Sequence, residues 1–134
     1  MASSFNQILR GAAGSGETPS TVEDLFSTYL YEGTGATPTI TNGIDLAGEG
    51  GLVWIKNRDA TDSNVLTDTV RGATKILYSD TTAAEETDTD TITSFTSTGF
   101  VLGADDKVNT SAESYVAWTF RKAPKFFDIV TFSG

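Results

Sequence analysis

Apolar residues in this chain come in short clusters set off by glycine, asparagine and threonine, not in long stripes. The clearest cluster is Gly51-Leu52-Val53-Trp54-Ile55-Lys56-Asn57-Arg58, where Val53, Ile55 and a Trp sit among four consecutive apolar residues between Gly50-Gly51 and Asn57. A short run rich in β-branched and aromatic residues between turn formers predicts a strand, and it is too short for a helix. Being apolar on both faces, it is expected at the centre of a sheet and packed on two sides. The segment Ser114-Tyr115-Val116-Ala117-Trp118-Thr119-Phe120 alternates instead: Val116, Trp118 and Phe120 share one face, and Tyr115, Ala117 and Thr119 share the other. It is the natural partner of the first strand. A Trp side chain can bury about 200 Å², so the core is expected where Trp54, Trp118 and Phe120 meet.

The other clusters extend the pattern. Residues 25–31 read as a strand on their aromatic content, although Ser20 and Glu23 could cap a helix there. Residues 37–41 form a short strand that Pro38 confines to an edge or a strand start, followed by the turn signal Asn42-Gly43. Strands follow at 65–70 and 75–78, and residues 91–95 and 99–103 make a hairpin. The acidic stretches 79–90 and 104–113 are expected as surface loops. About nine short strands with no convincing long helix predict an all-β protein, an antiparallel β-sandwich of jelly-roll, lectin-like type with a short N-terminal arm.

The two ends differ from the middle. Residues 1–24 hold a small apolar cluster, Phe5, Ile8 and Leu9, ahead of a Gly- and Ser-rich linker, and read as an anchoring arm that orders on a partner or as a disordered tail. Residues 25–124 are the sandwich. Residues 126–134, within the terminal stretch 125–134, echo 25–33: aromatic or apolar positions coincide and both stretches end in Gly. They are expected to begin a further domain or to serve as an interface strand.

Composition narrows the function. The 134 residues carry a net charge of −9, which argues against nucleic acid, because phosphate binding needs clustered Lys and Arg. No apolar stretch approaches membrane-spanning length, and the N-terminus lacks the apolar centre of a signal peptide. With no His and no Cys, Ser-His-Asp and Cys-His nucleophile systems and the usual zinc sites are absent. Glu85/Glu86, Asp88/Asp90 and Asp105/Asp106 are the remaining acid–base candidates, but they lie in polar loops without an apolar wall to raise a pKa. Asp88, Asp90, Asp105, Asp106 and Asn109 offer hard oxygen ligands for calcium, yet no loop fits a calcium-binding pattern, and no metal or other cofactor is expected. Gly48-Glu49-Gly50-Gly51 precedes a strand and lacks the Lys-Ser/Thr of a phosphate loop. Arg71 is expected to pair with a carboxylate inside the fold. Tyr29, Tyr31 and Tyr78 are candidates for stacking on a sugar or for packing.

Residues 50–58, then Asp68-Thr69-Val70-Arg71-Gly72-Ala73-Thr74, Phe95, Gly99-Phe100-Val101-Leu102-Gly103, Asn109 and Tyr115-Val116-Ala117-Trp118, resemble a domain that recurs in fibre and virion proteins of tailed phages, including those of marine phages and cyanophages. The resemblance covers about residues 25–122 and implies a concanavalin A-like jelly roll with a virion structural role. It transfers no catalytic or ligand residues, and Ser63-Asn64-Val65-Leu66 lacks the His expected there from similar sequences. The reading it supports is the non-enzymatic, virion-attached N-terminal part of a tail fibre. Other tail or head proteins would be its partners, and it would form a homo-oligomer, a trimer as fibres commonly are. The alternatives are a carbohydrate-binding module for a host-surface glycan and a small stand-alone capsid or tail decoration protein. If Phe5, Ile8 and Leu9 anchor the chain, deleting residues 1–20 leaves the melting temperature nearly unchanged and abolishes incorporation into particles; normal incorporation of the deletion removes the anchoring role.

Overall fold

The computed structural model describes residues 20–134, and the Phe5, Ile8 and Leu9 cluster lies outside them. Asp24 accepts hydrogen bonds from the Thr21 backbone N–H at 2.9 Å and from its hydroxyl at 3.3 Å, closing a single helical turn, α1 (Val22–Leu25). A capped turn thus forms one residue beyond the Ser20/Glu23 alternative, and the expected strand follows it directly as β1 (Phe26–Glu32). The remaining strands are β2 (Thr39–Thr41), β3 (Gly51–Asn57), β4 (Val65–Asp68), β5 (Lys75–Tyr78), β6 (Glu86–Thr87), β7 (Ile92–Thr96), β8 (Gly99–Leu102) and β9 (Ser114–Arg121). A second turn, α2 (Asp106–Asn109), interrupts the second acidic loop, with Asp105 capping it through the Lys107 N–H. The two-residue β6 and this turn are too short to leave a periodic signal in the sequence.

All strand pairs are antiparallel and form two sheets, one ordered β1-β9-β3-β4-β5-β6 and one ordered β2-β8-β7. Together they make a β-sandwich. β3 lies inside the larger sheet between β9 and β4, and Trp54 stands directly opposite Trp118. Gly51 permits the close approach of β3 to β9, since a Cβ there would collide with the Phe120 carbonyl oxygen. The short β2 sits at an edge, where Pro38 is tolerated.

The core fills with Val53, Ile55, Val65, Ile76, Tyr115 and Ala117 from the larger sheet and Ile40, Ile92, Phe100 and Leu102 from the smaller, joined by Ile44, Leu46 and Val108 from loops. Trp54, Trp118 and Phe120 are absent from it. They are half-buried and belong to the opposite face of the larger sheet. The expectation that the core centres on them is therefore overturned, and so is the expectation that β3 packs on both faces. Gly51, Val53, Ile55 and Asn57 point inward, whereas Leu52, Trp54 and Lys56 are only partly covered. On β9 the inward residues are Tyr115, Ala117 and Thr119.

Buried polar groups close one end of the sandwich. The Tyr31 and Tyr115 rings stack with centroids 5.2 Å apart and planes 10° apart. The Tyr31 hydroxyl donates to the Val108 carbonyl at 2.8 Å. The Tyr115 hydroxyl donates to the Asp106 carbonyl at 2.7 Å and accepts from the Thr110 N–H at 2.8 Å. Asn109, fully buried, accepts from the Thr34 N–H and donates to the Ala36 and Gly103 carbonyls, so the chain after β1 and the chain after β8 both depend on one amide. Asn57 does the same for the β3–β4 loop, accepting from the N–H groups of Asp59 and Ala60 and donating toward Asp62 and Glu113.

Burial raises the pKa of both core phenols, with the neighbouring Tyr115 adding to the rise at Tyr31 and hydrogen bonds from Thr110 moderating it at Tyr115. Each therefore ionises more readily in the unfolded chain than in the fold. Their contribution to stability is complete below the ordinary tyrosine value of about 10 and falls as pH rises through it. An alkaline titration should show the phenolate absorbance of these two of the four tyrosines appearing only together with unfolding. Their ionisation in a chain that keeps its native circular dichroism contradicts the buried placement.

Candidate functional site

Strand register carries the outward residues of the larger sheet into rows. Phe26, Phe120 and Leu52 form one row, and Thr28, Trp118, Trp54, Leu66 and Leu77 form the next. Leu30, Val116 and Lys56 form a third. The face these rows make is apolar across its centre. Trp54 and Trp118 meet edge to face with ring centroids 5.3 Å apart. Phe120 touches Phe26 at 4.9 Å on one side and Phe127 at 5.3 Å on the other. Aromatic pairs of this kind add about 0.5–1.5 kcal/mol beyond area burial, so the rings help to hold one another in place.

Polar contacts fix the frame around this face. The Trp54 indole N–H donates to the Asn64 side-chain carbonyl at 2.9 Å. Lys56 lays its stem along the sheet and donates to the Asn57 and Ala60 carbonyls. Arg71 pairs with Asp68, whose side chain is 4% exposed, reaches Glu85 at 3.2 Å and donates to the Leu66 carbonyl. The pairing expected for Arg71 is thus internal and anchors the turn after β4. At the far margin the chain turns at Pro124, and an antiparallel bridge between Ala123 and Phe127 sets Phe127 against Phe120. An open groove of about 600 Å³ runs beside this turn, between Glu49 and Asp128.

Of the acidic candidates Asp88 and Asp105 come together, around a lysine, while Glu85 pairs with Arg71 and Glu86 accepts from Tyr78. Lys107 lies 3.0 Å from Asp105 and 3.7 Å from Asp88, while Asp90 accepts from the Ala104 N–H. Burial works against the Lys107 charge, but its hydrogen bond to Asp105 and the charges of Asp105 and Asp88 outweigh it and raise its pKa. The site's cation is a side chain of the protein itself, and Asn109 is wholly engaged in holding backbone. Among the described residues no group of three or more ligating side chains is arranged to hold a metal ion. Among the sugar-stacking candidates, Tyr31 and Tyr29 pack against the core, and Tyr78 donates to Glu86. Phe26, Trp54, Trp118 and Phe120 form a second, partly covered aromatic cluster on the outer face of the larger sheet.

Trp54, Trp118 and Phe120 are therefore brought together as expected, on the outside of the sheet instead of within the sandwich. Phe26, Leu30, Leu52, Leu66 and Leu77 of the same face escape a reading of individual segments. The β9 alternation, carried across its neighbours, would have found them, since Phe26 and Leu52 both lie opposite Phe120. No helix among the described residues is long and apolar enough to cross a membrane.

A family model described as "Domain of unknown function (DUF7483)" matches residues 21–126, from α1 to the turn that follows β9. No curated protein and no solved structure matches the chain.

The two faces make opposite demands on stability. Phe100→Ala, in the core, should cost about 3–5 kcal/mol, whereas Trp54→Ala and Trp118→Ala should each cost about half of that. Denaturant unfolding measures all three. Equal losses at Phe100 and Trp118 would mean that the outer face is covered within the single chain.

Proposed function

This chain belongs to the DUF7483 family. We propose that it is a non-enzymatic structural component of a virion, the virion-attached part of a tail fibre. The observation that carries the reading is the apolar outer face of the six-stranded sheet, with the Trp54–Trp118 pair at its centre and Leu30 59% exposed at its margin. A contiguous apolar face marks an interaction site, and a component held permanently among other proteins has neighbours to cover it. The resemblance of residues 25–122 to phage fibre domains supplies the class of neighbour. The chemistry is consistent with this: the chain has no His and no Cys, and the resolved pKa shifts move Tyr31, Tyr78 and Tyr115 further above neutrality. None of these becomes a general base or a nucleophile near pH 7.

A second reading, binding of a host-surface glycan, is favoured by the same two Trp side chains, since flat aromatic surfaces stack on sugar rings. Three measurements separate the readings. Mass spectrometry and immunogold labelling of purified tailed-phage particles should find the chain in the particle. A glycan array probed with the free protein should show no binding that Trp54→Ala or Trp118→Ala removes. Substituting Leu66→Lys together with Leu77→Glu should preserve the fold and prevent incorporation. Absence from particles combined with tryptophan-dependent glycan binding replaces the structural reading with the lectin reading.

A further inference from the structure

We propose that the extended segment 128–132, Asp128-Ile129-Val130-Thr131-Phe132, is a donated strand that pairs with the free edge of β1 on a second copy of this chain. Four edges terminate the two sheets, and three of them are blunted. β6 is two residues long, β2 is three, and β7 carries an irregularity between Ile92 and Ser94. β1 differs from all three. It runs seven residues in unbroken register with β9 and contains no Pro, Gly, Lys or Arg, and among the described residues it pairs on one side only. An edge of this length and composition is a ready template for another strand.

The donor is on the same chain. Four of the five residues 128–132, namely Ile129, Val130, Thr131 and Phe132, are β-branched or aromatic strand formers, and the segment forms no ladder beyond the bridge at Phe127. Their sequence repeats the character of β1 itself, which already lives in a sheet: Phe127, Val130 and Phe132 stand where β1 and its flank have Phe26, Tyr29 and Tyr31. Among the described residues six large apolar side chains are exposed. Four of them, Leu30, Phe126, Val130 and Phe132, lie on β1, on the segment itself or within two residues of it, and a fifth, Val22, opens the α1 turn that leads into β1. Val130 and Phe132, 73% and 88% exposed, share one side of an extended segment, so pairing covers both at once.

The acceptor belongs to another copy because of where the segment leaves. The Lys122 N–H bonds to the Gly50 carbonyl, Lys122 faces Asp128 at 3.7 Å, and the groove beside the turn is bounded by Glu49. The segment therefore departs on the β3 side of β9, while the free edge of β1 lies on the opposite side. A contact of this kind is heterologous, with donor and acceptor on different surfaces, and closes into a ring or runs on as a filament. The inference holds whether or not the assembly is a virion.

Complementation tests it. Sedimentation of the full chain across a dilution series should show reversible self-association. Val130→Pro, which removes a ladder donor from an exposed segment, should weaken it by on the order of tenfold or more with an unchanged melting temperature. Thr28→Lys with Leu30→Lys, two exposed positions of β1, should do the same. Neither variant should associate alone, but mixing them should restore a one-to-one complex, because one keeps the edge and the other the strand. A full chain that stays monomeric overturns the proposal. So does undiminished association of Val130→Pro, which would mean that copies meet edge to edge or face to face without the donated strand.

Discussion

A β-strand can send only one of its two faces inward, and in this protein the choice made at β9 governs the rest. Tyr115, Ala117 and Thr119 go into the sandwich, and Val116, Trp118 and Phe120 take the outer face, where Val116 is buried by its neighbours and the two aromatic rings are partly covered. Small and medium side chains at the centre of the larger sheet, Ala117 with Val53 and Ile55 beside it, let the second sheet approach to ordinary packing distance, about 10 Å. Phe100 and Leu102 can then fill the space from the opposite side. Two Trp side chains facing each other across β3 and β9 would hold the sheets apart. With register fixed by direct opposition of Trp54 and Trp118, every neighbouring strand inherits the same assignment of faces.

The inward choice at Tyr115 also supplies the polar closure. Its hydroxyl and that of Tyr31 hold the α2 turn, and Asn109 in that turn ties the chain after β1 to the chain after β8. Each partner is a backbone group in an irregular segment that no ladder would satisfy, so the tyrosines and the asparagine take the place of secondary structure. The hydrogen bonds are buried and therefore costly to break singly, which keeps this loop-built end as well defined as the sheets.

The outward choice leaves the protein with an apolar face, an unblunted edge at β1 and an exposed, largely apolar segment after the Pro124 turn. All three are liabilities for a chain that stays alone and assets for one that assembles. Aromatic contacts link them across the sheet: Phe127 stacks on Phe120, and Phe120 touches Phe26 at the start of β1. What a partner would cover thus runs over the outer face from the β3 side of β9 to the free edge of β1, while the net charge of −9 keeps the remainder solvated.

By itself the sequence determined the fold class, most strand positions, the pairing of β3 with β9 and the edge position of β2, because each rests on local periodicity, turn residues or proline chemistry. It also determined which residues of β9 share a face. Which face would be inside was decided by tertiary structure alone. Alternation is symmetric under exchange of the two sides, and apolar content favoured the tryptophan side. The second sheet, built from residues far away along the chain, needed the thinner side instead. The same reason explains the acidic loops: the charges were legible, but only the fold placed Lys107 among Asp88 and Asp105. Pairing between residues distant in sequence is set by the packing of the whole sandwich, and no local pattern encodes it.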